Sequence, residues 1–134
     1  MLVGSCLCGA IRYEVDGELG DIVCCHCSMC RKAQGTAFAT NAPVESDRFR
    51  VVAGAQALRG YESSPGKRRY FCSICGSPIF SRRDARPDVL RLRIGTLDSR
   101  IAARPTAHIC AASKAEWYDI LDTLPQHAEL EPGR

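Results

Sequence analysis

The sequence predicts a mainly β protein, an assembly of antiparallel sheets carrying one or two short helical segments. Three observations lead there. Apolar and polar residues alternate with a period of two in several short runs, as half-buried strands require. Glycine and proline turn signals such as "DGELG", "SSPG" and "ARPD" recur between those runs. Nine cysteines, most of them in tight clusters, supply staples for a β protein built around metal.

The strands can be read in order. In "AIRYEV", Ile11, Tyr13 and Val15 oppose Arg12 and Glu14, giving one apolar and one wet face. "VLRLRIG" repeats the pattern, with Leu90, Leu92 and Ile94 against Arg91 and Arg93. "DIVCC", "TAFATN", "FRVVAG", "LRGYE", "RRYFC", "SPIFSR" and "TAHICA" are the other candidates. Two stretches read as helical. "SMCRKAQG" has room for a turn or two before Gly35 stops it. "SKAEWYDILDTLP" offers Ser113 and Glu116 as a capping box, ahead of an apolar stripe of Trp117, Ile120, Leu121 and Leu124.

A chain of 134 residues that is 46% hydrophobic is expected to form one domain, residues 1–126, with a polar and frayed tail over 127–134. A net charge of +3 with 25% charged residues describes a mixed-sign surface and not a nucleic-acid-binding tail. No basic segment precedes an apolar run at the N-terminus, and no stretch reaches the length of a membrane span, so a cytoplasmic location is expected. In that reducing compartment an odd cysteine count reads as metal binding rather than a disulfide framework.

The cysteines divide by spacing. Cys72 and Cys75 form a Cys-x-x-Cys knuckle followed by Gly76, half of a tetrahedral zinc site. Cys6 and Cys8, two apart in an extended segment, face the same way and supply the other half. Four thiolates leave no open position, so this zinc is expected to be structural. In "CCHCSMCRK", Cys25 and Cys27 share a face and Cys30 follows at the knuckle distance. Cys24 and His26 are out of phase with them, although a closed four-thiolate site that includes Cys24 is the alternative. Two zincs per chain are therefore expected, the second with a position free for water or substrate.

Three thiolates on one zinc ion give a centre of net charge about −1, a weaker Lewis acid than a tris-histidine site and one suited to a soft fourth ligand. That favours chemistry on a thiol over hydrolysis. A deaminase needs a His-x-Glu; the first two histidines here begin "HCS" and "HIC", and the third, His127, lies in the tail.

"GSCLCGAIRYEV", "CHCSMCRKAQGTAFATN", "FCSICGSPIFS", "GTLD" and "HICAASKAEWYDILDTLPQ", in that order, resemble the glutathione-dependent formaldehyde-activating enzyme (GFA) family, also called the CENP-V-type domain. The resemblance implies the β-tent, or Mss4-like, fold. It also implies structural zinc ligation by Cys6, Cys8, Cys72 and Cys75, and a catalytic zinc on Cys25, Cys27 and Cys30. The implied activity is that of a carbon–sulfur lyase joining formaldehyde to glutathione.

Arg31 and Lys32 are candidates to meet the carboxylates of such a thiol, against a solvated pair at a helix end. Phe38 lines a pocket or belongs to the core, and Trp117 is expected to be a packing anchor. The competing functional reading is a non-catalytic zinc module for protein or nucleic acid, resting on the basic stretches Lys67–Tyr70 and Ser81–Arg86. No set of aromatics accompanies those arginines as a base-stacking platform, so nucleic acid is not the favoured partner.

Overall fold

A computed structural model describes residues 1–134. Strands β1 (Leu2–Ser5), β2 (Arg12–Val15) and β5 (Phe49–Ala53) make an antiparallel three-stranded sheet in the order β1-β2-β5. The larger sheet has seven strands in the order β10-β3-β4-β9-β8-β7-β6. These are β3 (Ile22–Cys25), β4 (Ala39–Glu45), β6 (Leu58–Ser64), β7 (Lys67–Cys72), β8 (Pro78–Arg83), β9 (Arg86–Arg93) and β10 (Pro105–Ile109). The one α-helix, α1, spans Ser28–Gln34.

All nine strand candidates appear as strands, and the class is mainly β as expected. β1 is an addition. β10 pairs with β3 in parallel, a departure from an all-antiparallel reading. The second expected helix is absent: after a 3-10 turn at Ala111–Ser113 the chain runs irregularly. Tertiary polar contacts override its helical pattern. The Ser113 hydroxyl, expected to cap a helix, donates to the His26 and Cys110 carbonyls. The Lys114 ammonium donates to the Ala115 and Tyr118 carbonyls, and Asp122 is held by His108. The stripe is split, with Trp117 69% and Leu121 90% exposed while Ile120 and Leu124 are half-buried, so Trp117 is no packing anchor.

Alternation along the strands gives the large sheet two different faces. One presents Val44, Leu90, Leu92 and Phe80 to Ile11, Tyr13 and Val15 of the small sheet, forming the main core. The other carries a smaller cluster of Val23, Cys25, Cys30, Ala39 and Ile109, with Leu130 packed against it. The tail is therefore not frayed. His127 donates its N–H to the His108 carbonyl (2.8 Å), and Cys110 and Ala111 donate theirs to the Glu129 and His127 carbonyls (2.7 and 3.0 Å). Glu131 completes the attachment with a half-buried pair to Arg91 at 2.8 Å.

Gly54 shows how closely the small sheet approaches the turn before β2. Its φ is +77°, and a Cβ there would overlap the Ala10 carbonyl oxygen. Gly54→Ala is expected to cost well over the roughly 1 to 2 kcal/mol of left-handed backbone alone. Gly66→Ala, at φ +75° with open space around it, should cost only that backbone component. Urea midpoints of the two variants check the difference; equal losses would mean that the Ala10 contact is relieved freely.

Candidate metal centres

Cys6 closes β1 and lies against β7. The segment from Cys6 to Gly9 is a turn, fixed by the Gly9 N–H donating to the Cys6 carbonyl at 3.0 Å, and not the extended stretch its spacing suggested. The Cys72 to Gly76 turn mirrors it, with the Gly76 N–H on the Cys72 carbonyl at 2.8 Å. Gly9 and Gly76 take positive φ of 79° and 82°, which lets each turn fold back under its thiols. The two turns face one another, and the four Sγ atoms all lie within 4.8 Å of each other. Neighbouring sulfurs stand at 3.6 Å (Cys6 to Cys8) and 3.9 Å (Cys8 to Cys72). Tetrahedral zinc with Zn–S near 2.3 Å requires about 3.8 Å between sulfurs. The Ser77 hydroxyl and backbone hold the Cys75 thiol down at about 5, toward the ionised form a metal needs.

The second group is built by a strand end and a helix start. Cys25 is the last residue of β3, Cys27 caps α1 in an extended conformation, and Cys30 sits one turn into the helix. The Cys27 Sγ accepts the Cys30 N–H at 3.2 Å. Gly35, at φ +64°, ends the helix by donating to the Arg31 carbonyl at 2.7 Å. The Cys25, Cys27 and Cys30 sulfurs lie within 4.8 Å of one another, and no other cysteine, histidine or acid joins the group. Contacts from Cys25 and then Cys27 hold the Cys30 thiol far below its ordinary value, with Arg69 and Arg93 adding to the effect. The same contacts with Cys27 and Cys30 push Cys25 upward. Three convergent sulfurs with cations close by fit a thiolate-bound metal.

Cys24 lies on the other face, 3% exposed, its thiol pushed up to about 11 by burial. His26 also points away from the sulfurs. Its Nε2 is 2.8 Å from Nδ1 of His108, whose own Nε2 is 2.9 Å from the Asp122 carboxylate. Burial and the neighbouring His108 lower His26 to about 4, and its Nδ1 is buried without a partner. Phe38 and Tyr118 wall this pair, with Phe38 5.1 Å from the His26 ring and 5.6 Å from the Tyr118 ring.

Arg31 is turned to the Ser113 carbonyl at 3.3 Å, and Lys32 is exposed. The cations next to the sulfurs are others. Arg69 Nη1 is 3.5 Å from Cys30 Sγ, and Arg93, 4% exposed, is lowered by burial while the thiols of Cys30 and Cys25 counter that effect. The sequence marked Arg93 only as a wet-face residue of its strand and Arg69 only as part of the basic stretch Lys67–Tyr70, and placed neither at the metal group.

The sequence profile described as "Glutathione-dependent formaldehyde-activating enzyme" (GFA) matches residues 1–113. The chain belongs to the GFA family. A Halomonas elongata protein named for this family is 33% identical over 129 residues, covering 90% of this chain and 81% of that one. An Aspergillus flavus protein named likewise is 29% identical over 79 residues, and there the match spans only 41% of the relative. Among solved structures, a Rhodobacter sphaeroides protein superposes with a TM-score of 0.62 at 30% identity, covering 75% of this chain and 91% of that one. Within this GFA chain, two cysteine groups can each hold a metal ion, and no helix is long and apolar enough to cross a membrane.

Proposed function

We propose that this GFA-family chain is a zinc-dependent carbon–sulfur lyase that joins a small aldehyde of the formaldehyde type to a glutathione-type thiol. One observation carries the reading: four protein sulfurs converge in the first group and only three in the second. Cysteine donor sets favour zinc over harder cations. Cys6, Cys8, Cys72 and Cys75 would hold a closed structural ion. Cys25, Cys27 and Cys30 would hold the reactive one. Zinc bound there supplies a soft acceptor that favours the thiolate form of a substrate thiol near neutral pH.

In the reaction the thiol sulfur forms a bond to the carbonyl carbon, the carbon–oxygen π bond opens, and the proton lost from sulfur ends on oxygen. Atoms and charge balance without an oxidant or reductant. Arg69 and Arg93 keep positive charge beside the sulfurs, which lowers the cost of bringing an anionic sulfur or oxygen into a half-buried site. Cys24 and the His26–His108 pair point away from the three sulfurs, and Cys110, which packs beside Cys25, is outside the converging group, so on this reading the fourth position is the substrate's. Lys32, exposed on α1, would be an outer contact for a substrate carboxylate, whereas Arg31 would first have to leave the Ser113 carbonyl.

The test is NMR exchange between glutathione, carbon-13 formaldehyde and their S-hydroxymethyl adduct, using protein that carries two zinc ions. Exchange faster than the spontaneous reaction is the expected result. A rate equal to the spontaneous one, with both ions bound, rejects the lyase reading.

A further inference from the structure

The face of the large sheet that carries Cys25 continues as a row of cations. Pairing places Asn41 and Pro43 of β4 opposite Arg93 and Arg91 of β9, Ser81 of β8 beside Arg91, and Arg69 of β7 beside Ser81. Lys67 and Arg83, also partners of one another, extend the row by two residues along β7 and β8. Arg69 reaches Cys30 at 3.5 Å. Beginning at Lys67, the surface sinks into a cavity of about 300 Å³ lined by Lys67, Ser81, Arg83, Arg86, Arg91 and Arg134, with one hydrophobic residue among its ten.

The charge of this cavity is only partly answered. Arg86 pairs with Asp88 at 3.0 Å, and Arg91 and Arg134 share Glu131 at 2.8 and 3.3 Å. Lys67 and Arg83 have no carboxylate partner, and neither Asp88 nor Glu131 lines the cavity. The position of the cavity also matters. Two residues along a strand cover about 7 Å. An extended tripeptide is about 10 Å long, so one with its thiol on the middle residue carries a terminal carboxylate at a comparable distance from its sulfur.

We propose that this basic cavity, two residues along β7 from Arg69, binds the carboxylates of a peptide thiol whose sulfur lies at Cys25, Cys27 and Cys30. Lys67 and Arg83 then select an anionic thiol over a neutral one. The inference rests on the lyase reading and adds the part of the chain that recognises the substrate.

Calorimetric titration of the two-metal protein, paralleled by absorption spectra of its cobalt-substituted form, tests both. The probes are glutathione, glutathione dimethyl ester and 2-mercaptoethanol. Glutathione should bind at least about tenfold more tightly than the ester, the size expected for losing a charge-assisted contact. Lys67→Met and Arg83→Met should each remove most of that advantage while leaving 2-mercaptoethanol binding unchanged. If all three thiols change the cobalt spectrum but glutathione shows no advantage over its ester, or keeps it in both variants, the cavity assignment is wrong and the lyase reading stands. If no thiol changes the spectrum, both fall. The ester comparison uses the unaltered chain, so it holds even where a variant folds poorly.

Discussion

Cys72→Ser is expected to abolish cooperative folding. Cys72 is fully buried in the main core, and its N–H is bonded to the Ser77 carbonyl at 2.9 Å. Its sulfur joins two turns 64 residues apart. Structural zinc ions contribute about 10–16 kcal/mol of apparent binding free energy in zinc-finger peptides. The whole stability of an ordinary domain is about 5–15 kcal/mol. Losing one ligand therefore removes an amount comparable to everything that holds the chain folded. The main core alone is not expected to compensate, because Cys6 and Cys72 are members of it and their turns set how β1 and β7 approach. Near-ultraviolet circular dichroism should lose its folded signature in the variant, and strong chelation should do the same to the unaltered protein. A variant that unfolds cooperatively near the parent's midpoint would show that this group is not structural.

Cys27→Ser should give the reverse pattern, with activity lost and fold kept. Cys27 is half-exposed, whereas Cys25 and Cys30 are 5% and 2% exposed and belong to the smaller cluster. It also caps α1, a role that serine fills at least as well, so the helix start survives. What serine does not replace is a soft thiolate donor. Changing even the residues around a metal ligand typically costs 10–100-fold, so removal of a ligand should lower lyase turnover by more than about a hundredfold. Metal analysis should fall from two ions per chain to one, with the thermal midpoint shifted by a few degrees at most. If Cys27→Ser unfolds and Cys72→Ser only loses activity, the roles of the two groups are exchanged.

The strands and the cysteine groups were legible because both are local in sequence. Period-two alternation marked Ile11, Tyr13 and Val15 for the core without knowledge of what they touch. The same alternation set Cys24 apart from Cys25, and the structure turns these two to opposite faces. Cys6 and Cys8 were paired correctly in space for a wrong local reason, since they converge through a turn. The segment after Ser113 misled because its apolar spacing is real while the competing partners, His108 for Asp122 and the His26 carbonyl for Ser113, are far away in sequence. The tail looked frayed for a related reason: its polar residues are anchored by backbone bonds and by Arg91, neither of which leaves a mark in composition. Arg93 was visible only as the wet side of its strand and Arg69 only within a basic stretch, and it took the order of seven strands to put them beside Cys30.

The parallel pairing of β10 with β3 carries a consequence for how the protein is made. Cys25, Cys27 and Cys30 leave the ribosome early and together, while the strand that packs Ile109 against Cys25 is synthesised about eighty residues later. At about 5–20 residues per second, that interval lasts on the order of seconds. During it the three thiols are a short, open motif on a growing chain, able to take up an ion before any wall of the pocket exists. The Cys6, Cys8, Cys72 and Cys75 group can close only when both turns have emerged, yet still ahead of β10. Metal capture by the three-cysteine group can thus precede its burial, with β10 and the tail arriving last to cover it.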